Sequence, residues 1–229
     1  MPETKLSTIA GGSGINNFIQ ITSTGTFTVP PGIYTLRILL QGGGGNGGSS
    51  SASGLGGGSG AAGNTLIGEM PVNPNDVITL TIGASAGETK LEIGGRVLAV
   101  AYAGGSSTGS NSAGAQPPDG PNSLLNSIFV RGNLGAGTTA NGLAPTVGGV
   151  AIPMAVSQGG LDDGADDGGG GGSSSYFGVG GNGGDGNDAG TAQNGFASPN
   201  FGAGGGGGGK GNSIATGGAG GAGVVQLWY

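Results

Sequence analysis

Residues 42–63 read GGGGNGGSSSASGLGGGSGAAG, and the spacing of glycine in this stretch decides the fold. Every third residue from Gly42 to Gly63 is glycine at seven of eight positions. A step of three is the repeat of the extended left-handed helix, which rises about 3.1 Å per residue and forms no hydrogen bonds within itself. When such helices lie side by side, glycine at the contact positions lets their backbones exchange hydrogen bonds worth about 0.5–1.5 kcal/mol each. The stretch therefore predicts packed polyglycine helices.

Two later tracts repeat this spacing. Taking every third residue from Gly202 gives glycine at seven of eight positions, and the same count from Gly169 gives six of eight. The alternative is a flexible linker, because an isolated extended helix is solvated and glycine loses more conformational freedom on ordering than any other residue. We expect packed extended helices, anchored on a folded core. The predicted glycine tracts are 42–64, 168–190 and 202–223.

The large apolar residues are concentrated outside these tracts, at 18–40, 65–103 and 224–229. Short alternations of apolar and polar residues in these regions are separated by Gly, Pro, Asn and Asp, which is typical of brief strands joined by turns. The predicted strands are 18–22, 26–30, 34–40, 65–72, 77–82, 89–93, 96–103 and 224–229.

In the third predicted strand, Tyr34, Leu36, Ile38 and Leu40 should share one face, because side chains alternate along a strand. No stretch has the 3.6-residue apolar period of an α-helix. The sequence therefore predicts a mostly β protein with very little α-helix. It consists of a small antiparallel β-sandwich core, packed polyglycine II-like helices and long loops.

Composition excludes several classes of function. Glycine accounts for 62 of 229 residues and charged residues for 8%, with a net charge of −6 and no basic stripe for nucleic acid. No stretch approaches the eighteen apolar residues of a transmembrane helix, and residues 1–14 lack the pattern of a signal peptide. We expect synthesis in a cytoplasm and no membrane insertion.

The chain contains no His and no Cys, which removes the usual general base, thiol nucleophile and imidazole or thiolate metal ligands. Four carboxylates at Asp162, Asp163, Asp166 and Asp167 form a candidate calcium site, for which the alternative is a solvated acidic loop. The run at 204–211 imitates a phosphate-binding loop, but Gly211 replaces the Ser or Thr that would bind Mg²⁺. We expect no enzyme activity and no cofactor.

Aromatic residues in polar, glycine-rich surroundings are candidates for recognition. Phe196 and Phe201 lie near Asn194 and Asn200, and exposed aromatic rings beside small polar groups are typical of adaptable binding surfaces. The alternative is that these rings plug the ends of the glycine bundle. A structural role is expected for the remaining aromatic residues considered, which are Tyr176, Phe177, Trp228 and Tyr229.

Four sequence blocks, in order, resemble the glycine-rich domain found at the ends of bacteriophage tail fibres and in related adhesins. The blocks are GTFTVPPGIYTLRILLQGGGGNGG at 25–48, VNPNDVITLTIGASAG at 72–87, SSYFGVGGNGG at 174–184 and GGAGGAGVVQLWY at 217–229. The resemblance implies a virion protein in which packed polyglycine helices form a rigid scaffold and loops contact the host.

The resemblance suggests a tail-fibre or spike adhesin with a host cell-surface receptor, either an outer-membrane protein or a glycan. It also implies contacts with other virion subunits, and homotrimers are common among fibres. Candidate receptor-binding residues are Asn194, Phe196, Asn200, Phe201, Asp162 and Asp163. The alternatives are a purely structural virion subunit, such as a capsid or tail decoration or a fibre connector, and an acid-based polysaccharide depolymerase that uses two carboxylates.

Residues 1–17 are expected to form a docking or linker segment, and 18–229 a single glycine-rich β domain. The insertion at 110–154 departs from the compact pattern of the resemblance. It carries apolar patches at 123–130 and 147–154 between Gly and Pro. The insertion is interpreted either as an added binding surface or as a contact with another virion subunit.

Overall fold

A computed structural model describes residues 17–51, 55–110, 112–118, 123–137, 146–147, 150–151, 157–161, 168–187 and 190–229. Within these ranges the chain forms β-strands and extended segments, and no helix is long and apolar enough to cross a bilayer. The strands are β1 Phe18–Ile21, β2 Gly25–Thr28, β3 Thr35–Gln41, β4 Thr65–Pro71, β5 Val77–Thr81, β6 Thr89–Ile93, β7 Arg96–Ala101, β8 Leu125–Arg131, β9 Thr146–Val147, β10 Val150–Ala151 and β11 Val224–Trp228.

The strands form two antiparallel sheets, as predicted. One sheet has seven strands in the order β1-β11-β3-β4-β8-β9-β10, and the other has four in the order β2-β5-β6-β7. The apolar core combines fully buried residues of both sheets. Among them are Leu36, Ile38 and Leu40 on β3, Leu80 on β5 and Leu91 on β6.

On β3, the full burial of Leu36, Ile38 and Leu40 confirms that these three residues share one face. The predicted start of this strand at Tyr34 is wrong by one residue, because Tyr34 precedes β3, and its side chain is 65% exposed. Its carbonyl accepts a hydrogen bond from the amide of Val72, so Tyr34 lies at the end of the sandwich, beyond the layer where the two sheets face each other.

The insertion at 110–154 contributes strands to the larger sheet, which the sequence did not predict. β8 pairs with β4 through Thr65–Val130 and Ile67–Ile128, and β9 then pairs with β8. Leu124 and Val130 are buried, whereas Leu125 and Ile128 are more than half exposed. One apolar patch of the insertion is therefore a strand of the sandwich with an exposed outer face.

The glycine tracts form a bundle of extended segments whose centre is residues 202–211. All the amides of 204–209 donate hydrogen bonds to other segments, and all the carbonyls of 202–208 accept them. Successive residues turn to different neighbours and every third residue returns to the same one, which is the pattern of packed polyglycine helices. The predicted polyglycine II-like packing is confirmed.

Six segments surround this central helix. The amides of residues 204–209 donate to three of them, for example from Gly205 to Gly45 at 3.0 Å and from Gly207 to Gly170 at 2.8 Å. The carbonyls of the central helix accept from the other three, for example from the amide of Gly60 at 2.9 Å. The six neighbouring segments are 42–50, 57–63, 168–175, 179–187, 190–200 and 214–223.

The role of glycine is broader than one contact position in three. A Cβ added at any residue of 204–209 would come closer than 3.0 Å to a backbone atom of a neighbouring segment. In the outer segment 214–223, by contrast, Thr216, Ala219 and Ala222 recur at a step of three and are exposed. An outer helix therefore needs glycine at two positions of three, and the central helix needs it at nearly all.

The side chain of Gln41 joins the sandwich to the bundle. Gln41 is the last residue of β3 and is fully buried, and its Nε2 donates to the carbonyls of Gly42 and Gly63, both at 3.0 Å, and of Asn64 at 3.2 Å. Gly202 has a φ of +68°, and a Cβ there would overlap the Gln41 amide. The start of the central helix therefore packs directly against the Gln41 side chain.

Candidate binding surfaces

The bundle has a sandwich end and a free end. At the sandwich end, Gly42, Asn64, Gly132 and Gly223 directly adjoin strands. At the opposite end, the amide of Asn187 donates to the carbonyl of Lys210, and the amide of Ser50 donates to the carbonyl of Ala215. We define the free end as the residues at 50–51, 108–110, 161, 187, 190–191 and 210–214.

Two large apolar side chains are exposed at the free end. Leu161 is 75% exposed and Ile214 is 62% exposed. The backbone under both is fixed, because the carbonyl of Leu161 accepts from Gly186 at 2.9 Å and Ile214 precedes Ala215, whose amide donates to Ser50 Oγ. Exposed apolar groups on a fixed backbone are suited to contact a partner, since their backbone is already ordered before binding.

The acidic candidates adjoin this end in sequence but lie outside the described residues. They are Asp162, Asp163, Asp166 and Asp167, which follow Leu161. Among the residues that the structure describes, no group of three or more acidic side chains is placed to hold a metal ion. The calcium and receptor-binding hypotheses for these four residues therefore stay predictions.

Asn194 and Phe196 lie on one outer segment of the bundle, 190–200. Phe196 is 55% exposed, while its backbone is held on both sides by the amide of Gly206 and the carbonyl of Asn182. The Asn194 Oδ1 accepts a hydrogen bond from the amide of Thr216 at 2.9 Å. Phe196 is thus presented to solvent, and Asn194 links two segments of the scaffold.

Asn200 and Phe201 lie at the sandwich end, away from the free end. The Asn200 Nδ2 donates to the carbonyl of Val179 at 2.9 Å. The Phe201 ring meets Phe177 edge-on with centroids 5.7 Å apart, and Phe177 meets Tyr176 in the same way at 5.6 Å. The four predicted recognition residues on this segment and its turn therefore do not converge on one site.

Several asparagines of the outer segments accept a hydrogen bond from a main-chain amide through the side-chain Oδ1, where a main-chain carbonyl accepts elsewhere in the bundle. Besides Asn194, Asn46 accepts through Oδ1 from the amide of Gly220 at 3.0 Å, and Asn182 accepts from the amide of Gln158 at 3.0 Å. A side-chain amide oxygen reaches farther than a main-chain carbonyl and can satisfy an amide where the helices are not in direct register. Asparagine next to glycine is thus part of the bundle's hydrogen bonding.

Charge is sparse on the described surface. Within that part of the chain, the one ion pair joins Lys90 and Glu88 at 2.7 Å on β6 and the preceding turn. The hydrogen bond to Glu88, followed by its Coulomb attraction, raises the pKa of Lys90 above its ordinary value. Both side chains are more than a third exposed, so this pair contributes little to stability.

A family model for a glycine-rich domain matches residues 21–229. The chain belongs to this glycine-rich domain family. The match includes every strand from β2 to β11 and all segments of the bundle, so the sandwich and the glycine tracts belong to the same family unit. No curated protein matches the chain.

Sequence reasoning missed the exposed apolar residues of this glycine-rich domain. Leu161 and Ile214 are isolated in polar, glycine-rich surroundings, and that isolation is the signal that could have singled them out. Leu125 and Ile128 belong to the predicted apolar patch at 123–130, but the bulge opposite Gly68 breaks the alternation of β8. If β8 alternated regularly, the sequence would have predicted which of its side chains point outward.

Proposed function

We propose that the chain is a phage virion protein, a receptor-binding adhesin of a tail fibre or spike, which attaches to the host cell surface by non-covalent contacts. The four sequence blocks that resemble tail-fibre glycine-rich domains are the basis of the proposal. The structural observation that supports it most is the free end of the bundle, where Leu161 and Ile214 are exposed on a fixed scaffold.

The construction of the bundle separates stability from recognition. Its central helix is held by backbone hydrogen bonds, and at the free end the buried Ser50 hydroxyl accepts from the amide of Ala215. The exposed side chains of Leu161 and Ile214 are apolar and take no part in these bonds, so they contribute little to holding the segments together. Substitutions at such positions change the contact surface without opening the core, as surface substitutions away from special features usually change stability by less than about 0.5 kcal/mol. An adhesin that must follow changes in a host receptor benefits from this separation.

The proposed receptor contacts are apolar and aromatic. Ile214 and Leu161 at the free end and Phe196 on the side of the bundle are the exposed groups that supply them. Such contacts need no cofactor, and their strength depends on how completely the receptor removes them from water. Receptor candidates are an outer-membrane protein or a surface glycan.

Cell binding and competition test the proposal. The fluorescently labelled chain should bind bacterial cells that adsorb the parent phage, and excess unlabelled chain should reduce phage adsorption. Ile214→Ser should weaken cell binding at least about tenfold, as expected for loss of a central apolar contact. Val77→Ser is the matched control, because Val77 is 52% exposed at the far end of the sandwich. Absence of cell binding by the folded wild-type chain would refute adhesion.

A purely structural virion subunit is the second candidate, and the exposed outer face of β8 favours it. Leu125 and Ile128 are 56% and 51% exposed, as expected for a strand that another chain covers. Immunogold labelling of intact virions separates the two candidates. Label at the tip of a fibre or spike supports the adhesin, and label along the shell or at a connector supports the structural subunit.

A further inference from the structure

Next to Phe18 on the edge strand β1, which pairs with Trp228, four side chains lie at one level across the outer face of the seven-stranded sheet. In order across adjacent strands they are Trp228 on β11, Arg37 on β3, Glu69 on β4 and Leu125 on β8, and strand register places each opposite the next. The sequence of chemical types across the sheet is apolar, positive, negative, apolar. Neighbouring strands are about 4.8 Å apart, so the row is about 14 Å long.

The two charges in this row do not pair with each other. Arg37 is exposed, and no ion pair joins it to Glu69 in the described part of the molecule, although the two are direct cross-strand neighbours. Glu69 Oε2 instead accepts from the Asn126 Nδ2 at 3.1 Å. Asn126 has a φ of +48°, at the bulge where β8 departs from the register of β4.

We propose that this face binds the same face of a second copy of the chain, about a two-fold axis that runs parallel to the strands between β3 and β4. Such an axis exchanges the left and right halves of the row. It places Arg37 of each copy opposite Glu69 of the other, and Trp228 of each opposite Leu125 of the other. Charge complementarity and apolar contact are therefore satisfied together, as an isologous interface requires.

The charged pair also selects this axis over a two-fold axis that runs across the strands in the plane of the interface. An axis perpendicular to the strands would place Arg37 on Arg37 and Glu69 on Glu69. Like charges that face each other at an interface are strongly unfavourable. The parallel axis is the one that joins opposite charges.

The next level of the sheet, nearer the bundle, carries no charge. Its row is Gln226 on β11, Leu39 on β3, Ile67 on β4 and Ile128 on β8. Leu39 is buried within the chain, whereas Ile67 is partly exposed and Ile128 is 51% exposed. At this level a second copy meets Ile67, Ile128 and Gln226 beside the charged pair, but not Leu39, which the chain itself covers. This level contains no charge that opposes the contact.

The interface leaves the free end of the bundle uncovered. Trp228 is the last residue of β11 and Leu125 the first of β8, so the row crosses the part of the sheet that is farther from the bundle. The pairing is independent of the proposed attachment to a host. It predicts a dimer that presents two bundles, rather than the homotrimer common among fibres.

Analytical ultracentrifugation of the full chain tests the pairing. The wild type should sediment with twice the chain mass of 21.2 kDa. Arg37→Glu alone places carboxylates opposite each other, and Glu69→Arg alone places guanidinium groups opposite each other, so each should raise the dimer Kd at least about 100-fold. An equimolar mixture of the two variants should restore the dimer, because each heterodimer contact again joins opposite charges.

Arg96→Glu on β7 is the matched control, since Arg96 is an exposed arginine of the other sheet and should leave the dimer unchanged. Thermal unfolding checks that every variant is folded. Trp228 is the single tryptophan of the chain, so its emission should shift to shorter wavelength with increasing concentration of the wild type but not of either variant. A wild type that is monomeric or trimeric, or single variants that fail to complement each other in the mixture, would overturn the proposal.

Discussion

Gly207 lies so close to Gly57 that a Cβ on Gly207 would overlap the carbonyl oxygen of Gly57. The two residues belong to neighbouring segments of the bundle, and the amide of Gly57 donates to the carbonyl of Gly208 at 2.7 Å. Main-chain atoms therefore occupy the space that side chains fill in an ordinary core. Close approach of backbones replaces the packing of large apolar groups as the source of cohesion.

The first prediction concerns this contact. Gly207→Ala should lower the free energy of unfolding by about 1–3 kcal/mol or more, because the methyl group has to push two backbones apart. Denaturant unfolding monitored by circular dichroism measures the loss. Gly25→Ala on β2 is the control, since a Cβ there meets nothing within 4 Å, and it should be neutral or stabilise slightly. Equal effects of the two substitutions would contradict backbone packing.

The second prediction concerns Gln41, whose amide donates to three carbonyls where β3 enters the bundle. Gln41→Met keeps the length of the side chain but removes this donor from the carbonyls of Gly42 and Gly63, whereas the carbonyl of Asn64 still accepts from the amide of Gly42 at 2.9 Å. Each buried group left unsatisfied costs about 1–3 kcal/mol, so the variant should unfold at a clearly lower denaturant concentration. Gln226→Met is the control, because Gln226 bonds to Gln20 on the partly exposed outer face. An unchanged midpoint for Gln41→Met would show that this junction is dispensable.

The third prediction tests whether the insertion is part of the folded core. Leu124→Ala should destabilise by about 2–5 kcal/mol, since Leu124 is 7% exposed and packs in the main apolar cluster. Leu134→Ala, also in the insertion, should change stability by less than about 0.5 kcal/mol because Leu134 is 48% exposed. Thermal melts compare the two. Similar small effects would mean that the insertion does not contribute to the core.

The fourth prediction separates recognition from scaffold on the segment 190–200. Phe196→Ser should leave the unfolding midpoint nearly unchanged and weaken cell binding, because the ring is exposed. Asn194→Ala should lower stability by about 1 kcal/mol, because the amide of Thr216 loses its acceptor. Paired measurements of unfolding and cell binding distinguish the two roles. Unchanged cell binding by Phe196→Ser would remove Phe196 from the proposed receptor contacts.

The sandwich strands and the period of the glycine tracts could be predicted from sequence because each depends on local pattern. The alternation of Leu36, Ile38 and Leu40 identifies a buried face, and glycine at every third residue indicates an extended helix. The number of neighbours around each helix is not local. Glycine is required at every position from 204 to 209 because six segments surround this helix. A glycine repeat of three within one tract does not indicate how many segments surround it.

The binding candidates were harder to predict, because exposure and hydrogen bonding depend on residues distant in sequence. Asn194 resembles a recognition residue beside Phe196, yet its acceptor oxygen is used by Thr216 of another segment. Phe201 contacts Phe177 only because two turns of the bundle meet at the sandwich end. The exposed side of β8 could not be predicted from sequence, because a bulge shifts the alternation of side chains partway along the strand.

Amide hydrogen exchange of Gly204–Gly209, followed by NMR, tests the central claim that the glycine tract is a hydrogen-bonded scaffold. All six amides donate to neighbouring segments, so they should exchange as slowly as the amides of the interior strand β3. Gly94 and Gly95, in the exposed turn between β6 and β7, provide the fast-exchanging reference. Exchange of Gly204–Gly209 as fast as that of Gly94 and Gly95 would contradict the bundle.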